Sequence, residues 1–164
     1  MQVTRATEYG LLAALYLARQ APHRLVMIEE MSASENIPRS FLAKIVQSLA
    51  HAGLVESQRG VGGGFRLVRP ADKITVLQLM EAIEGSLALK SCTENEPVCV
   101  WDQSRIANCT VCALFTEAQA RILDLFANTT LADLIKPKPA LVEELPARGK
   151  RGAAVPSAEA SATK

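Results

Sequence analysis

Cysteine is missing from this chain except in one window: all four lie between Cys92 and Cys112, spaced C-x6-C-x9-C-x2-C. Disulfides stitching distant parts of the chain together are thereby excluded, and one shared site is implied. Aromatic residues are scarce at 4%, so aliphatic side chains must build the core. No run of eighteen apolar residues occurs; the longest candidate, residues 11–18, is too short to cross a bilayer and follows Arg5 and Glu8. No membrane association is expected. Residues 1–5 lack a signal-peptide pattern with its cleavage site, which makes the cytoplasm the expected location. Histidine is also rare. His23 in Pro22-His23-Arg24 and His51 are the two present, both expected at the surface, and no hydrolytic constellation is visible. The chain is not expected to be an enzyme.

What is present points to a globular chain of 164 residues, 49% of them hydrophobic, long enough for one domain with a core and an accessory element. The net charge of +1 is unevenly spread: residues 1–70 carry +3, residues 71–135 carry −5 and residues 136–164 carry +3. A basic first part followed by an acidic middle fits a nucleic-acid reader joined to a module that does not read. In a reducing compartment, clustered cysteines serve as metal ligands or redox thiols. Four thiolates suit an iron-sulfur cluster or a tetrahedral zinc, because sulfur donors favour soft and borderline metals.

Leu11, Leu12, Leu15 and Ala18 recur at helical spacing, with Thr4 or Thr7 available as N-cap, and predict a first helix over residues 4–19. A short second helix is predicted over residues 27–33. Asn36-Ile37-Pro38 opens a third, which Gly53 ends. On that third helix Phe41, Leu42, Ile45 and Leu49 are expected to face the core, and Ser40, Lys44, Gln47 and His51 to face out. The pattern is a helix-turn-helix candidate, and it is equally compatible with a plain three-helix core. Residues 54–57 and 65–68 read as two short strands joined by Gln58-Arg59-Gly60-Val61-Gly62-Gly63-Gly64. Glycines here permit positive backbone dihedrals and leave little bulk, so Gly62 and Gly63 allow close approach to another surface. Arg59 and Arg66 flank the turn and Arg69 follows, so the hairpin reads as a wing able to lay arginine on phosphates or in a minor groove. A phosphate-binding P-loop is excluded, since the Gly-Lys-Ser/Thr ending before a helix is absent.

Thr75 is expected to cap a further helix over residues 76–85, with Leu77, Met80 and Ile83 inward. Residues 86–110 show no periodicity and read as a loop held by something other than packing. Then Val111, Leu114, Phe115, Ala118, Ile122, Leu125 and Phe126 form a wide apolar stripe on a long helix. A second copy of the chain is its expected partner if DNA is the target, because two-fold readers bind paired half-sites. Thr130-Leu131-Ala132-Asp133 begins a short terminal helix, and the proline-rich residues 136–164 read as a disordered tail.

Arg59-Gly60-Val61-Gly62-Gly63-Gly64-Phe65-Arg66-Leu67, then Arg69-Pro70, Ile74-Thr75-Val76, the acidic-ended helix reaching Gly85, the cysteine loop and Thr130-Leu131-Ala132-Asp133-Leu134 resemble the Rrf2 family of winged-helix transcription regulators, in its cluster-binding, IscR- and NsrR-like branch. The resemblance spans residues 1–135. It implies a mainly α fold with a small β-hairpin: a winged helix-turn-helix over 1–85, a cluster-binding cysteine loop over 86–112, and a dimerisation helix with a short terminal helix over 111–135. It further implies a homodimer on pseudo-palindromic double-stranded DNA operators, sensing redox state, nitric oxide or iron and cluster status through an iron-sulfur cluster of two or four irons. Cluster-binding members use three cysteines, matched by Cys92, Cys99 and Cys109. IscR-like members place a histidine two residues further on, where this chain has Cys112, a thiolate able to replace imidazole. The longer gap before Cys109 departs from the family spacing. Some NsrR-like members take an acidic fourth ligand from the partner subunit, and Glu8 stands in the matching place; it equally suits a solvated charge on a first helical turn. Cys112 is the preferred fourth ligand. For DNA, the resemblance points to Ser40 and its neighbours and to Arg59, so the expected contacts are Ser40, Lys44, Gln47, Arg59, Gly62, Gly63 and Arg66.

Two other readings stay open. The cysteines can serve as a structural zinc site or a thiol switch in a cluster-free DNA-binding regulator, although only the Cys109 to Cys112 step has zinc-knuckle spacing. The chain can instead be an iron-sulfur electron carrier, and retained redox chemistry without DNA binding distinguishes that case. The lone Trp101, beside Cys99, is expected to shield the site.

Overall fold

The computed structural model describes residues 3–89 and 109–136. Cys92, Cys99, Trp101 and the proline-rich tail lie outside the described residues. In chain order the elements are α1 (Arg5–Ala18), α2 (Ile28–Glu35), α3 (Arg39–His51), strands β1 (Val55–Gln58) and β2 (Gly64–Leu67), a 3-10 turn (Ala71–Lys73), α4 (Val76–Glu84), α5 (Thr110–Asn128) and α6 (Leu131–Ile135). Both strands lie one residue away from the ranges predicted from sequence. Among the described residues no helix is long and apolar enough to cross a membrane.

Thr4 caps α1 by accepting from the Ala6 and Thr7 amides, and this satisfies donors that the first helical turn leaves open. α2 stops at Asn36, which adopts a left-handed conformation (φ 53°). The turn into α3 is then locked by Ile37, 1% exposed, whose carbonyl accepts from the Ser32 hydroxyl at 2.7 Å. The end of α3 is a Schellman closure: Gly53 (φ 68°) donates to the Ala50 carbonyl at 3.0 Å and Leu54 donates to the Leu49 carbonyl at 3.0 Å. Leu49 and Leu54 are both buried, so the backbone closure is seconded by an apolar contact.

The main core joins Ala13, Ala14 and Leu17 of α1 to Leu42, Ile45, Val46 and Leu49 of α3, with Leu54, Val55, Ile74, Leu79 and Leu131. Full burial of each leucine or isoleucine contributes about 1.5–3 kcal/mol. Phe41 is not in this core: it is 59% exposed. The buried arc of α3 is centred on Leu42 and Leu49 with Ile45 and Val46 at its sides, and Phe41 lies past the edge of that arc. On α4 the fully buried residues are Val76, Leu79 and Met80, while Leu77 and Ile83 are half-buried. The arc is wider than a single predicted stripe because α4 packs against α1, α3 and α5.

α5 leaves this body and α6 returns to it. Val76 donates to the Thr129 carbonyl and Leu131 to the Ile74 carbonyl, each at 2.9 Å, so the starts of α4 and α6 are tied together. Each start carries a capping box, Thr75 with Gln78 and Thr130 with Asp133. Leu131, completely buried, belongs to the main core. A second cluster of Val76, Met80 and Leu87 is covered by Leu123 and Phe126 of α5.

Candidate DNA interface and cysteine site

α2 and α3 meet across the Asn36-Ile37-Pro38 turn, and an ion pair from Arg39 to Glu29 sets their starts side by side. Ser40, Lys44 and Gln47 are all exposed on one face of α3. Pro38 occupies the N-cap position and no side chain caps the helix. The Phe41 and Leu42 amides donate to the Pro38 carbonyl at 3.0 and 3.1 Å, and the Arg39 and Ser40 amides before them are the first-turn donors that could face a phosphate. Phe41, which sequence periodicity assigns to the core, stands in that same first turn.

The wing is an antiparallel pair with Val55 opposite Leu67, Glu56 opposite Arg66, Ser57 opposite Phe65 and Gln58 opposite Gly64. Its base is fastened to the segment before α2: Val26 donates to Phe65 O at 3.0 Å and Phe65 donates to Val26 O at 2.9 Å. A Cβ on Gly64 would lie 2.6 Å from the Val26 carbonyl oxygen, and one on Gly63 would lie 2.3 Å from that of Gln58. Those two glycines are needed for close packing. Gly60 (φ 105°) and Gly62 (φ 78°) are needed for the reversal itself, since that region disfavours side chains. They have no neighbouring atom in reach of an added Cβ, so the tip is open to a partner.

The arginines of the wing are placed differently. Arg59 is exposed at the start of the turn and has no ion pair among the described residues. Arg66 donates through Nε to the Glu56 carboxylate opposite it, and its Nη1 approaches the His23 carbonyl at 3.5 Å. Arg69, exposed, borders a cleft of about 440 Å³ behind the hairpin together with Arg24 and Arg66. Spacing along the chain does not distinguish Arg59 from Arg66, because it does not reveal a cross-strand partner.

Of the four cysteines, Cys109 and Cys112 are described, and no disulfide joins these two. Cys109 is the N-cap of α5 and its Sγ accepts from the Cys112 amide at 3.4 Å. The two cysteines thus flank the first turn of one helix. That donor set fits a thiophilic metal or cluster. Glu8, exposed on the first turn of α1, does not join them in the same protomer: among the described residues no three His, Cys, Asp or Glu side chains come together as a metal site.

The entry to the cysteine loop is anchored from both sides. Leu87 is buried between α4 and α5, and the Leu89 amide donates to Gln119 Oε1 of α5 at 2.9 Å. At the end of α4, Glu84 accepts from the hydroxyls of Thr4 and Thr7, so the base of the loop is also tied to the start of α1. Thr7 is fully buried, and periodicity offered no signal for its role.

Residues 3–137 match the family model of Rrf2, described as an iron-dependent transcriptional regulator. The chain belongs to the Rrf2 family. It is a transcription regulator with the winged-helix DNA-binding fold of that family. Its relatives include protein aau3 of Rhizobium meliloti, 32% identical over 85% of this chain and 88% of that one. The HTH-type transcriptional regulator NsrR of Shouchella clausii is 29% identical over 82% of this chain and 89% of its own. Among solved structures, that of CymR, the global cysteine regulator of B. subtilis, superposes with a TM-score of 0.68 at 25% identity, over 82% of this chain and 96% of that one.

Proposed function

We propose that this Rrf2 regulator acts as a homodimer on two-fold operators and senses redox state, nitric oxide or iron supply through an iron-sulfur cluster held by Cys92, Cys99, Cys109 and Cys112. The observation that carries the reading is the pair Cys109 and Cys112 on the first turn of α5, a helix whose other end packs on α4 of the winged helix. When bound, the cluster would supply a centre of two or four irons whose charge and coordination change on oxidation, nitrosylation or iron loss. The protein's part is to convert that change into movement. Thiolates at the start of α5 bias the placement of this helix, and Leu87, Leu89 and Glu84 link the loop to α4 and α1. Residues 86–112 are on this reading the sensor, joining a reader at 1–85 to a dimerisation segment at 111–135.

On the operator, Ser40, Lys44 and Gln47 meet phosphates and base edges in the major groove. Arg59 enters the neighbouring groove while Gly62 and Gly63 let the backbone come close. Arg66 contributes through the pair with Glu56 that braces the hairpin. The chain acts in the cytoplasm. Anaerobic purification with an absorption spectrum and iron and sulfide assays tests the cluster directly. Cys112→Ser is expected to lose the visible absorption and Glu8→Ala to keep it. The reverse result assigns the fourth ligand to Glu8 of a partner subunit.

A cluster-free reading, with the same cysteines as a thiol switch or zinc site, is favoured by the likeness to a cysteine regulator. Colourless protein without iron or sulfide, still binding DNA in a thiol- or zinc-dependent way, decides for it. An iron-sulfur protein that binds no DNA at all would instead fit an electron carrier.

A further inference from the structure

Phe41 is the one large apolar side chain that α3 exposes: 59% of its surface faces solvent, whereas Leu42, Ile45, Val46 and Leu49 are buried. A lone exposed apolar residue is ordinary on a protein surface. Its position is what singles this one out. It lies in the first turn of the helix that the proposed function places in the major groove, beside Ser40 and within one turn of Lys44, both exposed. In helix-turn-helix readers the N-terminal residues of this helix reach base edges. A docking face for another protein needs a broad apolar patch, but α3 exposes no other large apolar side chain, its exposed neighbours Ser40 and Lys44 are polar, and Arg39 is engaged with Glu29. One apolar group set among hydrogen-bonding ones instead matches a row of base edges. Along the major groove the only apolar group the four bases present is the C5-methyl of thymine.

We infer that Phe41 is a specificity-determining residue that packs against a thymine methyl in each half-site of the operator. This rests on the DNA-binding reading above and adds the base feature recognised. Thymine and uracil make the same hydrogen bonds and differ only in that methyl, so exchanging them isolates the contact from the polar ones made by Ser40, Lys44 and Gln47.

The test uses the full chain and a duplex enriched by it from a randomised library, then resynthesised with deoxyuridine replacing single thymines. The wild-type protein is expected to lose about fourfold in affinity at one thymine per half-site, the factor that follows from withdrawing one methyl-sized apolar contact. Phe41→Ala should bind the thymine duplex more weakly and show no further loss with deoxyuridine, while Lys44→Ala keeps the fourfold dependence. Phe41→Leu, which retains an apolar group, should keep part of it. Because Phe41 is outside the core, helix content and melting temperature should be unchanged in both Phe41 variants. Equal binding of thymine and deoxyuridine duplexes at every position overturns the assignment, as does a Phe41→Ala protein that remains methyl-dependent. Enrichment of no duplex at all would overturn the DNA-binding reading beneath it, and is thus distinguishable from failure of the Phe41 contact alone.

Discussion

Arg59 and Arg66 stand on one hairpin seven residues apart, and their surroundings assign them different work. The guanidinium of Arg66 is occupied by Glu56, directly opposite in the ladder, and withdrawing it to bind a phosphate would strand that carboxylate beside the DNA. Arg59 carries no such tie. Arg59→Ala is therefore expected to weaken operator binding and to lower the slope of log affinity against log salt by about 1. Arg66→Ala should change affinity by less than about fivefold, in keeping with the small worth of an exposed ion pair, ~0–1 kcal/mol. Titrations at several salt concentrations check both. Equal slopes for the two variants would mean that the Glu56 pair opens on DNA.

At the scale of elements, the wing and α6 are both held by backbone hydrogen bonds as well as by buried side chains. Gly64 packs on the Val26 backbone, which cannot move aside as a flexible side chain could. Gly64→Ala is expected to break the Val26 to Phe65 bridge and to destabilise the protein by about 1–3 kcal/mol, measured by denaturant unfolding. Gly60 and Gly62 face open space, so alanine there should act through backbone strain alone and cost about 1 kcal/mol each. The start of α6 depends on Asp133. The Thr130 hydroxyl donates to its Oδ2 at 2.6 Å, the Thr130 amide donates to the same oxygen at 3.1 Å, and Lys136 lies 3.1 Å from Oδ1. Together they hold its carboxyl well below the ordinary 3.8, at about 2. A depressed carboxylate stabilises the fold fully above its unfolded value and loses that contribution as pH falls through the folded one. The α6 cap should accordingly survive at pH 4 and fail on approach to pH 2. Carboxyl carbon shifts of Asp133 followed against pH test this, and Thr130→Val should move the midpoint back up.

The molecule as a whole leaves the long α5 half-finished. None of its residues is buried, and Val111, Leu114 and Leu125 are 50%, 66% and 47% exposed on the apolar stripe. Its C-terminal half rests on α4 through Leu123 and Phe126, and the exposed stripe is where the proposed homodimer would place its second copy. Leu114→Glu is expected to convert the protein to a monomer by light scattering with unchanged helix content. Operator affinity should then fall by about a hundredfold, as one of two linked half-site contacts is lost. A Leu114→Glu protein that stays dimeric would place the two-fold contact elsewhere.

Residue order alone was enough for most of this architecture. Helical periodicity, the Asn36-Ile37-Pro38 turn, the Gly53 stop, the glycine turn after Arg59 and the threonines at 75 and 130 act through contacts a few residues long, so their outcome can be read along the chain. The clustering of the cysteines is likewise a property of the sequence. What depended on the tertiary structure involved partners far away in sequence: Phe41 turned outward because Leu42 and Leu49 centre the face that meets α1. Arg66 met Glu56 only once the strands paired. Glu84 reached back across the chain to Thr4 and Thr7, and Leu131 entered the main core because α6 folds back onto α1 and the 3-10 turn. Periodicity reports which face of a helix is apolar, but the width and centre of the buried arc are set by the helices packed against it. That is why the elements could be read from the sequence, while the exposure of Phe41 and the engagement of Arg66 were decided by the fold.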